Sequence, residues 1–227
     1  MQIIPITPHE EENFFTPEEY ASVYKTIYDC MDLGIRDAGD EWKYFKKLTN
    51  NGFIALFLSE TKHKGLPHLS QEIEDKIRQK FEEKTGSKVD HIGMIWARYT
   101  PLSGDIPTLM PHQDRSETHV SYTFTLEMAK TVNWDFYVED QKFEMDTNKA
   151  IWFSGTHQSH WRPDQKFEEN DYYDILLCQT HSGNDDNPLS EKHFDDGDEH
   201  SMDVSAKFKD LLIESMDKGS RINGACQ

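Results

Sequence analysis

What this chain has little of narrows the field before any motif is read. Only three cysteines occur in 227 residues, at Cys30, Cys178 and Cys226. Their odd number and wide separation argue against a disulfide framework and against a cysteine zinc cluster. Cys178, inside the apolar run "DILLCQ", reads as a buried free thiol. Basic residues are scarce too, with 24 Lys and Arg against 42 Asp and Glu and a formal net charge of −18. A surface of that sign repels phosphate backbones and lipid headgroups, so neither nucleic acid nor a membrane is an expected partner. No apolar run approaches the roughly 20 residues that span a bilayer. The start "MQIIPITPHEEENFF" lacks the basic opening and long apolar centre of a signal peptide. The expectation is a soluble, cytoplasmic protein.

Aromatics are plentiful, with 13 Phe, 9 Tyr and 5 Trp. Side chains of this kind suit sheets with a packed face. Thr16-Pro17-Glu18-Glu19 is a helix start, with Thr16 as N-cap, Pro17 at the first helical position and Glu19 closing a capping box. The helix should run to about residue 33, with Tyr20, Val23, Tyr24, Ile27 and Met31 on its apolar side. A second helix is expected over 70–84, with Ile73, Ile77 and Phe81 on one stripe and Gly86 just beyond its end. Between them "FIALFLS" reads as a short strand.

From about residue 88 the period changes. "HIGMIWARYT", "HVSYTFTLEM", "NWDFYVED", "QKFEMD", "KAIWFSG" and "YYDILLCQT" are short β-like runs separated by polar turns. Their spacing predicts a sandwich, jelly roll or barrel, with the preceding helices packed outside one sheet. Residues 182–203 carry eight acidic side chains and one lysine and read as an exposed connector, followed by a terminal helix over 203–217. The expected organisation is a support region over 1–87, a β core over 88–181, and the connector with its helix over 182–227, in one compact unit.

The pattern His-any-acid occurs three times, at His9 with Glu11, His112 with Asp114, and His193 with Asp195. It arises cheaply in so acidic a chain. The first and last lie in acidic, poorly periodic segments and read as solvated loop histidines. The central pair, in "MPHQDRSETHVSYTF", lies between expected strands, where a rigid element can hold a side chain to the tolerance that coordination demands. A third ligand has to come from another strand, and "KAIWFSGTHQSHWRP" offers His157 and His160. Two imidazoles and one carboxylate on one face of an octahedron leave three positions open, the arrangement of non-haem Fe(II) oxygenases. The same donors can bind zinc for hydrolysis, but the usual His-Glu-x-x-His helix does not occur.

"WARYTPLSGDIPTLMPHQDRSETHVSYTFTLEM" followed by "AIWFSGTHQSHWRP" resembles the core of the Fe(II)/2-oxoglutarate-dependent oxygenases, particularly the prolyl 4-hydroxylase branch. The resemblance covers about residues 92–181 and implies a double-stranded β-helix with iron at its open end. It implies His112 and Asp114 as proximal ligands and His160 as the distal one, with His157 as an alternative. It implies Fe(II), 2-oxoglutarate and O2, with ascorbate as a reductant, and hydroxylation of a C–H bond in a peptide or small molecule with release of succinate and CO2. Related halogenases have a small residue where Asp114 stands, so the carboxylate points to hydroxylation. Tyr99 resembles a tyrosine that contacts the cosubstrate, and Thr123 or Thr125 points into the pocket. Trp134, Trp152 and Trp161 read as wall or core.

One departure stands out. The family's basic anchor for the far carboxylate of 2-oxoglutarate lies about ten residues beyond the distal histidine, where this chain has Asn170 and Asp171. Arg162 is the first candidate in its place, followed by Lys166, Arg98 and Lys149. A cupin-like metal protein that does not use 2-oxoglutarate and a non-catalytic jelly-roll binding module are the alternative readings.

Overall fold

The computed structural model describes residues 5–37, 45–48, 53–58, 68–89, 91–101, 106–114 and 121–181. Two helices form where capping chemistry and apolar spacing coincide. In α1 (Pro17–Asp37) the Thr16 backbone N–H donates to Glu19 Oε2 at 2.7 Å and the Glu19 N–H to Thr16 Oγ1 at 3.3 Å, closing the expected capping box. The helix runs one turn past the expected end. In α2 (Gln71–Thr85) the Ser70 hydroxyl accepts from the Ile73 N–H, and Gly86 ends the helix at φ 65°, a left-handed conformation that an L side chain resists. The 203–217 helix, the acidic connector and His193 lie outside the described residues.

Eleven strands are described, in two antiparallel sheets. The larger has the order β1 (His9–Glu11), β9 (Ala150–Phe153), β6 (Ser121–Lys130), β11 (Tyr173–His181), β4 (Gly93–Tyr99), β3 (Phe53–Leu58) and β2 (Phe45–Leu48). The smaller has the order β5 (Leu109–His112), β10 (His160–Arg162), β7 (Phe136–Val138) and β8 (Gln141–Phe143). The two face each other as a double-stranded β-helix, the jelly roll expected from the strand count. Four short strands, β1, β2, β5 and β10, had no periodic signal of their own. They are three or four residues long, and pairing with a neighbour rather than pattern creates them. Strand β1 corrects the loop reading of His9: it pairs with β9, and the His9 ring stacks on Trp152 at 6.4 Å.

Strand alternation divides the core in two. Outward from the large sheet, Met94, Trp96, Phe124, Leu126, Trp152, Leu176 and Cys178 pack under the helices with Phe14, Phe15, Val23, Ile27, Ile73, Ile77 and Phe81. Cys178 is a buried free thiol, and burial pushes its pKa well above the ordinary thiol value. Between the sheets lie Ala97, Tyr99, Trp134, Phe136, Val138, Ile151, Phe153, Tyr173 and Ile175. A fully buried ion pair lies in the outer layer: Arg98 Nε and Nη2 each donate to Asp174 at 2.7 Å, and Tyr28 of α1 donates to the same carboxylate. Burial opposes the Arg98 charge, but Asp174 outweighs it and raises the pKa. Removing either partner of such a pair costs about 3–5 kcal/mol, because the other is left buried and alone.

Candidate metal centre

His112 is the last residue of β5, and Asp114 follows two residues later. His160 opens β10, which is hydrogen-bonded to β5 with His160 directly opposite His112. Strand pairing therefore brings together residues 48 positions apart in the chain. Asp114 Oδ1 lies 3.9 Å from His112 Nε2 and 3.6 Å from His160 Nε2, and the two rings are 4.2 Å apart between centroids. Among the described residues these three form a cluster of candidate ligand atoms within 4.8 Å of one another. Exposure falls from His112 to Asp114 to His160, with side chains 40%, 29% and 6% exposed, so the cluster opens toward solvent on the His112 side.

Backbone carbonyls orient both imidazoles. His112 Nδ1 lies 2.8 Å from the Met110 carbonyl, and His160 Nδ1 lies 3.1 Å from the Gln158 carbonyl. A carbonyl only accepts, so each Nδ1 donates to its carbonyl and Nε2 is the nitrogen each ring turns toward the cluster, the orientation that leaves it to a metal. For His160 burial is the main influence and holds its pKa below the ordinary value, which keeps the ring neutral near pH 7. Three ligand atoms converging this closely suit a divalent cation, and two imidazoles with one carboxylate suit Fe(II).

Asp114 is gripped from two further sides. Its backbone N–H donates to the Gly155 carbonyl at 2.8 Å, and Gln179 Nε2 donates to its Oδ2 at 3.1 Å. A Cβ on Gly155 would stand 1.9 Å from that Oδ2, so the glycine of Phe153-Ser154-Gly155 is the space the carboxylate occupies. Gln179 had no motif to mark it. Its signal was the alternation of β11, which places it on the inward face with Tyr173, Ile175 and Leu177.

The other sequence candidates separate cleanly. His157 is exposed, its Nδ1 is 2.9 Å from Thr156 Oγ1, and it takes no part in the cluster. Its place in the loop between β9 and β10 turns it away, which corrects it as an alternative ligand. Arg98 is on the helix side of the large sheet, consumed by Asp174. Lys149 pairs with Glu10 and Glu12 at 3.0 Å each, and Lys166 pairs with Glu168 on the surface. Those pairings correct all three as anchors.

Arg162 is different. It lies two residues after His160 on the same strand and is 1% exposed. Its Nη1 donates to the Trp134 carbonyl at 2.6 Å, and its guanidinium lies over the rings of Trp134, Phe136 and Tyr173 at 5.1, 5.0 and 4.5 Å. Its Nη2 is buried with no hydrogen-bond partner, and so are Thr123 Oγ1 and Thr125 Oγ1 on the inward face of β6. Buried polar groups rarely go unsatisfied; among the described residues three of the four such atoms lie in the barrel interior, the fourth being Trp96 Nε1 on the helix side. Tyr99 shares this interior, edge-on to Trp134 at 4.9 Å; burial raises its pKa to about 12. Trp134 and Trp152 are core, and Trp161 is wall, stacked on Tyr137 at 4.1 Å.

With this geometry in view, comparison with solved structures is informative. The chain matches a Pseudomonas putida prolyl-4-hydroxylase at TM-score 0.54 and 9% identity, over 78% of this chain and 93% of that one. It matches a Trichoplax adhaerens prolyl hydroxylase, in complex with a hypoxia inducible factor peptide fragment, at 0.54 and 10%, over 77% and 82%. It matches the non-heme alpha ketoglutarate dependent epimerase SnoN, from nogalamycin biosynthesis, at 0.55 and 10%, over 77% and 78%. No family model and no curated protein matches the sequence. At these identities the likeness is one of fold: the chain has the architecture of these oxygenase structures. One of them is an epimerase, so the architecture alone does not dictate the reaction.

Proposed function

We propose that the protein is a non-haem Fe(II)/2-oxoglutarate-dependent dioxygenase that hydroxylates an unactivated C–H bond in a peptide or small molecule. The observation that carries this reading is the convergence of His112 Nε2, Asp114 Oδ1 and His160 Nε2, each imidazole oriented by a backbone carbonyl, in a double-stranded β-helix. When bound, Fe(II) with 2-oxoglutarate and O2 supplies oxidation of the C–H bond, with release of succinate and CO2. His112, Asp114 and His160 would hold the iron, and a facial set of three leaves the remaining positions for cosubstrate and O2.

Arg162 would hold the far carboxylate of 2-oxoglutarate. Its Nη2 is unpartnered, its guanidinium cannot release its proton, and the surrounding rings keep water from competing. Thr123 and Thr125 would donate to the same dicarboxylate. The anchor thus moves from β11, whose inward residues Tyr173, Ile175, Leu177 and Gln179 are uncharged, to β10 beside the distal ligand. The Phe136 and Phe153 rings, 6.1 and 4.7 Å from His160, would limit water beside a bound ion and favour charge-assisted bonds there.

The test is an anaerobic titration of metal-free protein with Fe(II) and then 2-oxoglutarate, in wild type and Asp114→Ala. A weak visible charge-transfer band in the wild type that disappears in the variant supports the reading. Iron binding with no such band overturns the cosubstrate and favours a cupin-like metal protein; no iron binding overturns the enzyme reading altogether.

A further inference from the structure

We propose that Gln179 is a positioning residue that fixes the Asp114 carboxylate so that it offers one oxygen, Oδ1, to the bound ion. The inference rests on the metal-centre reading above. A carboxylate turning about its Cβ–Cγ bond can present either oxygen or chelate with both, and chelation would take a coordination position that a reactant needs. Here the two oxygens are made unequal. Oδ2 accepts from Gln179 Nε2 at 3.1 Å, while Oδ1 faces the two imidazoles at 3.9 and 3.6 Å. On its other side Oδ2 is wedged against Gly155, where no Cβ would fit. The Asp114 N–H to Gly155 carbonyl bond at 2.8 Å holds the backbone to the same loop.

The residue type matters as much as the contact. An amide donates to Oδ2 without placing a further charge beside the carboxylate. Lysine in its place would compete with the ion for the carboxylate, and glutamate would repel it. Gln179 is delivered by the sheet itself: it stands opposite Thr123 on β6 and Gly93 on β4, in a central strand paired on both sides. That placement gives the amide a rigid base, as positioning of a ligand requires.

Mn(II) is the probe, because it favours octahedral carboxylate and water ligation and its water-proton relaxivity reports how many exchanging waters it holds. The metal-free wild type, Gln179→Met and Gly155→Ala are titrated with Mn(II), with melting temperatures recorded alongside. Gln179→Met frees Oδ2 to chelate, and relaxivity per bound ion should fall by about a third as one of three open positions closes. Gly155→Ala pushes on the same oxygen from the other side and should weaken Mn(II) binding about 10- to 100-fold. Gln179→Leu, which also removes the donor, carries the test if Gln179→Met does not fold. A folded Gln179→Met with wild-type relaxivity and affinity overturns the positioning role while leaving the metal centre intact. A wild type that binds neither Mn(II) nor Fe(II) overturns the metal centre, and this inference with it.

Discussion

The two faces of β6 carry opposite chemistry at nearly equal burial. Tyr122, Phe124, Leu126 and Met128 face the helices, while Ser121, Thr123, Thr125 and Glu127 face the barrel, and all eight are at most 6% exposed. On the helix side the side chains are aromatic or aliphatic and packed in the core. On the barrel side Glu127 accepts from Tyr173 and Thr147 and pairs with Lys130, whereas the Thr123 and Thr125 hydroxyls have no partner. An alternating strand usually signals one wet face. Here the polar face is buried in the barrel interior, and two of its hydroxyls are left without a protein partner.

If the two faces divide stability from function, substitutions on each should have separate signatures. The largest expected effect is on the helix side: Phe81→Ala removes a ring packed against Phe124 and Trp152 at 5.5 and 5.2 Å. It should destabilise the fold by about 3–5 kcal/mol in chemical denaturation, with metal affinity of the folded fraction unchanged. On the barrel side Asp114→Ala should reverse that pattern, lowering Fe(II) affinity by at least about 100-fold, or some 2.7 kcal/mol, in calorimetric titration while leaving the melting temperature nearly unaltered. Arg162→Met should weaken 2-oxoglutarate binding about 10- to 100-fold, the loss of one charge-assisted contact. Iron affinity should stay as in wild type, and stability should hold or rise because a buried charge is replaced by an apolar chain of similar length.

The smallest effect sharpens the outer layer. Glu11 Oε2 accepts from Trp152 Nε1 at 2.9 Å, and its other oxygen pairs with Lys80 of α2. Burial raises its pKa, but the bonds to Lys80 and Trp152 and the charge of Lys84 outweigh it, so the net value lies below 4.5. A lowered carboxylate pKa contributes stability that is present above about pH 4.5 and lost as the pH falls through the folded value. Wild type and Glu11→Gln should therefore differ in stability by about 1 kcal/mol or less near pH 7 in thermal melts, and the gap should close as the pH falls through the lowered folded value.

Several parts of this protein were legible before folding because they are local. The α1 capping box, the Gly86 stop and the inward-outward period of the long strands depend on neighbours a few residues away. The candidate ligands His112, Asp114 and His160 were legible because spacing within two short motifs is also local. Strands β1, β5 and β10 were not, since pairing partners far along the chain define them, and β2 is defined only by its pairing with β3. Nor were the fates of four basic residues whose one-dimensional surroundings look alike.

By itself, then, the sequence determined which side chains could bind a metal, where the helices begin and end, and which strand faces share a side. Only the tertiary structure decided that His160 rather than His157 meets His112, because the β5–β10 register sets that pairing. It alone decided that Arg98 serves the core while Arg162 keeps a free donor, because whether a buried charge is neutralised depends on Asp174 arriving from a distant strand. And it alone set Gln179 and Gly155 on either side of one carboxylate oxygen, a juxtaposition across three loops and strands that no spacing in the chain encodes.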